Sequence, residues 1–131
     1  MEGVSSTLDV AVSGLQVAAA RLSVAAENIV NARSSAPVEP GDEVPEEVYR
    51  PQRVEPRSRA EGGVSAARRP VEPAAITERD ATSPTGFSAV PNVDYGRELV
   101  ELRLAALSYR QNIEAIRTQM ELDEALLDIK V

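Results

Sequence analysis

The chain is 131 residues long, carries a formal charge of −7, and is 43% hydrophobic but only 3% aromatic. It has no Cys and no His, which excludes disulfide staples, thiolate nucleophiles, the usual zinc and haem ligands and the usual acid–base group of neutral-pH catalysis. Its apolar content is largely Ala and Val, with one Phe and no Trp, so each residue buries little area; packing on other subunits promises more than a private core.

The acidic balance also speaks against nucleic acid. Arg50, Arg53, Arg57, Arg59, Arg68 and Arg69 share one region, but Glu46, Glu47, Glu55, Glu61 and Glu72 are interleaved with them, leaving no segregated basic surface for a phosphate backbone. Without about 18 uninterrupted apolar residues, no membrane span is expected. The N-terminus has no basic leader, and Asp9 interrupts what would be its apolar stretch, so any export is expected to proceed without a cleaved signal peptide.

All nine prolines fall between Pro37 and Pro91. An interior proline costs a helix about 3 kcal/mol, so the long helices belong to the flanks. The expected division is an N-terminal helix over 1–33, a proline-rich loop with a small β insert over 34–90, and a C-terminal helix over 91–131. In the first segment Leu8, Val12, Leu15, Ala19, Leu22, Ala26 and Ile29 alternate spacings of four and three, a heptad stripe suited to packing lengthwise on other helices. Ser6 and Asp9 resemble a capping box and set the expected start; Asn31, then Ser34, Ser35 and Pro37, set the stop. Gly14, beside the stripe, costs about 1 kcal/mol relative to Ala and suits close helix approach.

In the middle, Val48–Val54, Gly63–Ala67 and Phe87–Val90 read as edge-type strands, limited by Pro51. The run with Glu39, Asp42, Glu43, Glu46 and Glu47 lacks the alternating spacing of a calcium loop and reads as a solvated loop. The whole middle is expected to become ordered only against a partner. The last segment repeats the seam through Leu99, Leu102, Ala106, Tyr109, Ile113, Ile116 and Met120, then drifts to Leu122, Leu126 and Ile129. Asp94 is its expected N-cap, and Arg110–Glu114 and Arg117–Glu121 its i,i+4 pairs.

A more specific signal lies at the two ends. Ser13-Gly14-Leu15, then Arg21-Leu22, then Ala25 through Glu27-Asn28-Ile29-Val30-Asn31-Ala32 resembles the N-terminal signature of the flagellar rod, hook and hook-filament axial proteins, with Val30 where Ala is usual. Gly86-Phe87, then Pro91-Asn92-Val93-Asp94, then Ala106, Ser108-Tyr109 and Asn112 is similar to the proximal members of the flagellar basal-body rod family. The resemblance covers both helices and somewhat over half the chain. It implies a non-enzymatic structural subunit, exported by the flagellar type III apparatus and polymerised into the rod in the periplasm. It further implies a mainly α fold in which the terminal helices pair as a coiled coil, with a small irregular β-containing insert.

The implied partners are other flagellar rod proteins, copies of the chain itself, the export apparatus and the membrane ring; no cofactor, metal or catalytic residue is implied. The residues expected to pack between subunits are Leu8, Val12, Leu15, Leu22, Asn28, Ile29 and Asn31 in the first helix and Leu99, Leu102, Tyr109, Asn112, Ile113, Ile116 and Met120 in the second; Pro91, Asn92, Val93 and Asp94 form the family motif. Two other classes stay open on the residues alone. A helical adaptor or export-chaperone-like module would carry the same stripes, and a carboxylate-only hydrolase would need two acids converging in a pocket.

Overall fold

The computed structural model describes residues 2–129, with side chains over 7–129. Two helices, α1 (Glu2–Val30) and α2 (Tyr95–Ile129), flank five strands: β1 (Ala36–Pro37), β2 (Gln52–Ser58), β3 (Val64–Pro70), β4 (Ala75–Arg79) and β5 (Phe87–Pro91). Neither helix contains a proline, as the cost of breaking the backbone ladder requires. The helices take 29 and 35 of the 131 residues and flank the β insert as expected, so the mainly α expectation holds in part, beside a substantial β region. α1 also begins earlier than expected: Ser6 lies inside it, and the side chain assigned to the cap is outside the described residues.

The helix ends are set by side chains that replace missing intrahelical partners. Asn31 Nδ2 donates to the Glu27 carbonyl at 2.8 Å and closes α1. Asp94 Oδ1 accepts from the Arg97 N–H at 3.1 Å and opens α2 as the expected N-cap. Among the described residues the i,i+4 pairs expected on α2 do not form, and Arg117 pairs instead with Glu114, at i,i+3 and 3.1 Å.

The insert is more ordered than a proline-rich acidic stretch suggests. β5 is the centre of an antiparallel sheet in the order β1-β5-β4, and β2 pairs with β3 as a separate two-stranded ribbon. Ala36, Val38, Val48 and Ala89 form a small core, joined by Val44 and Ala75. The expected first strand is split: Val48 turns into that core, Pro51 is buried, its carbonyl accepts from the Val71 N–H at 3.1 Å, and pairing starts only at Gln52. Pro56 is tolerated within β2 because a two-stranded ribbon leaves every strand an edge.

α1 and α2 run antiparallel. Contacts pair Asn28 with Glu98, Arg21 with Glu101 and Gly14 with Asn112, so numbers fall along α2 as they rise along α1. The packed seam consists of small or short side chains, with Val17, Ala18, Val24, Ala25 and Ala105 all buried, rather than of the leucine stripe expected to form a coiled coil. By length and composition alone α1, over Thr7–Val30, is apolar enough to cross a bilayer, with mean hydropathy 1.3, although its run is not uninterrupted. Its inner face, however, carries Ser13, Arg21 and Asn28, all bonded to the rest of the fold.

Candidate assembly surface

Two polar residues of α1 fix the β2–β3 ribbon along the helix. Asn28 is wholly buried and uses its full hydrogen-bonding capacity. Its Nδ2 donates to the Gln52 carbonyl at 2.7 Å and to Glu98 Oε1 at 3.2 Å, while its Oδ1 accepts from Tyr49 Oη at 2.9 Å and the Gln52 N–H at 3.2 Å. One amide thereby joins α1, the entry to β2 and the first turn of α2. Fifteen residues earlier, Ser13 Oγ donates to the Val10 carbonyl at 2.7 Å and accepts from the Val64 N–H at 3.0 Å.

The spacing of these two anchors is metrically consistent. Fifteen helical residues rise about 22 Å, and the seven residues of β2 span about 23 Å, so helix and ribbon stay in step from Gln52 to the turn before Val64. The turn reaches α1 through Gly63, at φ +80°, where a Cβ would stand 2.5 Å from Ser13 Oγ. Gly14 serves the opposite partner: a Cβ there would meet Asn112 Oδ1 at 2.5 Å and Cγ at 3.1 Å, so the glycine is what lets α2 come this close. Asn112 in turn anchors its Nδ2 on the Ser108 carbonyl at 2.8 Å.

The electrostatics of the junction follow from this packing. Burial pushes the Glu98 carboxyl above its ordinary range, with the Asn28 amide pulling the other way. The Tyr49 hydroxyl is raised, chiefly by burial and then by Glu27 nearby. Arg21 is held more firmly charged by its 2.6 Å bond to Glu101. A cleft of about 250 Å³ opens here, lined in part by Asp94, Glu98 and Glu101. All three acids are engaged in holding the fold, since Asp94 caps α2, Glu98 accepts from Asn28 and Glu101 pairs with Arg21.

The family-motif residues form the hinge from insert to helix. Pro91 is buried at the end of β5, Asn92 Nδ2 donates to the Pro73 carbonyl at 2.9 Å and its N–H to the Ala74 carbonyl at 3.0 Å, Val93 is half-buried, and Asp94 caps α2.

The heptad stripe of α1 faces elsewhere. At 100° per residue it lies roughly 180° around the helix from the buried face of Ser13, Val17, Val24 and Asn28. Leu8, Leu15, Leu22 and Ile29 are half-buried, Val12 is 40% exposed, and Ala19 and Ala26 are exposed. On α2, Leu102, Tyr109, Ile113 and Ile116 are half-buried while Leu99 and Met120 are 51% and 60% exposed. Ile113, Ile116 and Met120 line an open apolar hollow with Leu127. Of the polar residues expected between subunits, Asn28 is enclosed within its own chain, Asn112 packs on Gly14, and Asn31 caps its own helix.

A single heptad seam passes over two sets of residues. One is the polar and small inner face around Ser13, whose only signal is the adjacency of Ser13 and Gly14. The other is a second exposed face of α2 with Val100, Leu104 and Leu107, signalled by apolar residues spread around the helix rather than along one side.

Comparison with known proteins extends the resemblance beyond the two ends. No family model matches the chain. It is 29% identical over 139 residues to a protein of Agrobacterium fabrum (strain C58 / ATCC 33970) named flagellar basal-body rod protein FlgC, with 98% of this chain and 96% of that protein covered. The similarity thus spans the insert as well as both helices, and it supports a flagellar basal-body rod protein.

Proposed function

We propose that this chain is a structural, non-enzymatic subunit of the bacterial flagellar basal-body rod, in its proximal part, polymerising through its two terminal helices. The observation that carries this reading is the apolar surface that the folded chain leaves on both helices: Val12 on α1 and Leu99, Leu107, Met120, Leu126 and Ile129 on α2 are 40–80% exposed, although the inner face of α1 is packed and hydrogen-bonded. A row of large apolar side chains left in solvent marks a protein–protein surface. The similarity to a rod protein over nearly the whole chain gives that surface its context.

On this reading the neighbours are other rod proteins and further copies, the chain reaches the periplasm through the flagellar type III apparatus, and the surrounding membrane ring is within reach of the insert. Coiled-coil packing arises between the outer stripes of adjacent subunits, repeated by a helical operator.

Deletion of the coding region followed by electron microscopy of purified basal bodies tests it. Loss of rod and hook, with the membrane-embedded ring and export complex retained, is the expected result. Intact basal bodies would remove the rod reading and bring the adaptor reading forward. At residue level, Ile113→Glu buries a charge in the apolar hollow at a cost of several kcal/mol, and the variant is expected to leave cells non-motile.

A further inference from the structure

We propose that the outward face of the first half of α2 is a docking surface for the acidic loop, residues 39–47, of a second copy of this chain. The inference rests on the reading of the chain as an assembling subunit and adds to it a particular contact between copies.

The helix face is apolar and basic at once. Leu99, Val100, Leu104 and Leu107 are 50–58% exposed on it, with Arg103 and Arg110 exposed among them. The two acids in this half of α2 point the other way, Glu98 to Asn28 and Glu101 to Arg21, which leaves the outward side with positive charge only. Among the described residues no ion pair falls on Arg103 or Arg110, which, like most arginines outside the four pairs of Arg21, Arg68, Arg69 and Arg117, leave their charge without a carboxylate partner.

The loop is its complement. Glu39, Asp42, Glu43, Glu46 and Glu47 are all exposed, and none takes part in an ion pair among the described residues. The loop is also held in shape: Val44 packs on the core of the insert, Ser34 Oγ donates to the Glu47 carbonyl at 3.0 Å, and the Asp42 N–H donates to the Glu39 carbonyl at 3.1 Å. A preordered loop loses little conformational entropy on docking. Complementary charge across such a surface sets register and partner choice. Because the loop and the helix face are different surfaces, the contact is heterologous and continues from copy to copy.

The test uses the full purified chain, in sedimentation at rising concentration and at low and high salt. Self-association that weakens with salt is expected, and R103E/R110E should raise the half-association concentration by at least about tenfold. E43R/E46R should do the same alone. An equimolar mixture of the two variants should recover association, since each supplies the charge that the other lacks; a disruption of folding by either would not be repaired by mixing. The native chain has no Cys, so oxidised E46C/R110C should give a ladder of covalent multimers. A chain that stays monomeric, association indifferent to the reversals, no recovery on mixing, or only an intrachain link would each overturn the proposal. Failure of the rod reading would appear separately, as intact basal bodies in the deletion strain.

Discussion

The two faces of α1 invert the usual arrangement of a surface helix. Its inner face, which packs on α2 and the β2–β3 ribbon, includes Ser13, Gly14, Ala18, Arg21, Ala25 and Asn28, and among the described residues its buried branched apolar side chains are Val17 and Val24. Its outer face carries the larger Leu8, Leu15, Leu22 and Ile29. Small residues inside bring backbones close and leave hydrogen bonds to set the register; large apolar residues outside are only partly covered within the chain. On the proposed reading, intrachain specificity and interchain adhesion fall on opposite sides of one helix, and substitutions on the two sides should separate fold stability from assembly.

The largest effect on the fold is expected at Asn28. Asn28→Ala leaves the Gln52 N–H and carbonyl, Tyr49 Oη and Glu98 without their shared partner, and thermal or denaturant unfolding should register a loss of about 3 kcal/mol. A loss under about 1 kcal/mol would mean that water or a neighbouring group takes the amide's place. Gly14→Ala comes next: the methyl group removes the helix cost of glycine but meets the Asn112 amide, and a net loss of about 1 kcal/mol is expected by the same measurement. Stabilisation by this substitution would show that α2 is free to move back.

Glu98→Gln sharpens the inner face in a third way. The folded-state carboxyl is raised above its ordinary 4.5, so its contribution favours folding below that value and is lost as pH rises through the folded pKa. The amide variant can still accept from Asn28 and is expected to be more stable than the native chain at neutral pH, with the gain vanishing below about pH 4.5. Unfolding curves that stay parallel across this range would show that burial of the carboxyl is not felt.

The outer face should give the smallest change in stability. Leu22→Gln is expected to shift unfolding by about 0.5 kcal/mol, as for other partly exposed sites, and yet to prevent incorporation into basal bodies. Normal incorporation would remove the stripe from the assembly surface.

Much of this division was legible in the residues. Proline placement separates helix from insert because proline cannot sit in a helix interior, and Asn31 and Asp94 end and begin helices as capping chemistry demands. The insert was less legible. Its strands come from pairings such as Ala36 with Ala89, more than fifty residues apart, and its core from short side chains with no strong alternation. The role of Asn28 was hidden for the same reason: its partners are a backbone unit at Gln52 and side chains at Tyr49 and Glu98, and nothing local to α1 announces them.

By itself the sequence determined where the two helices lie, because proline and heptad periodicity act within a few residues, and it determined that large apolar stripes were available for packing. Only the tertiary structure decided which side of α1 turns inward. That choice depends on how closely Gly14 lets Asn112 approach and on whether Ser13 and Asn28 find distant backbone groups, and such interactions exist only once the chain has folded back on itself.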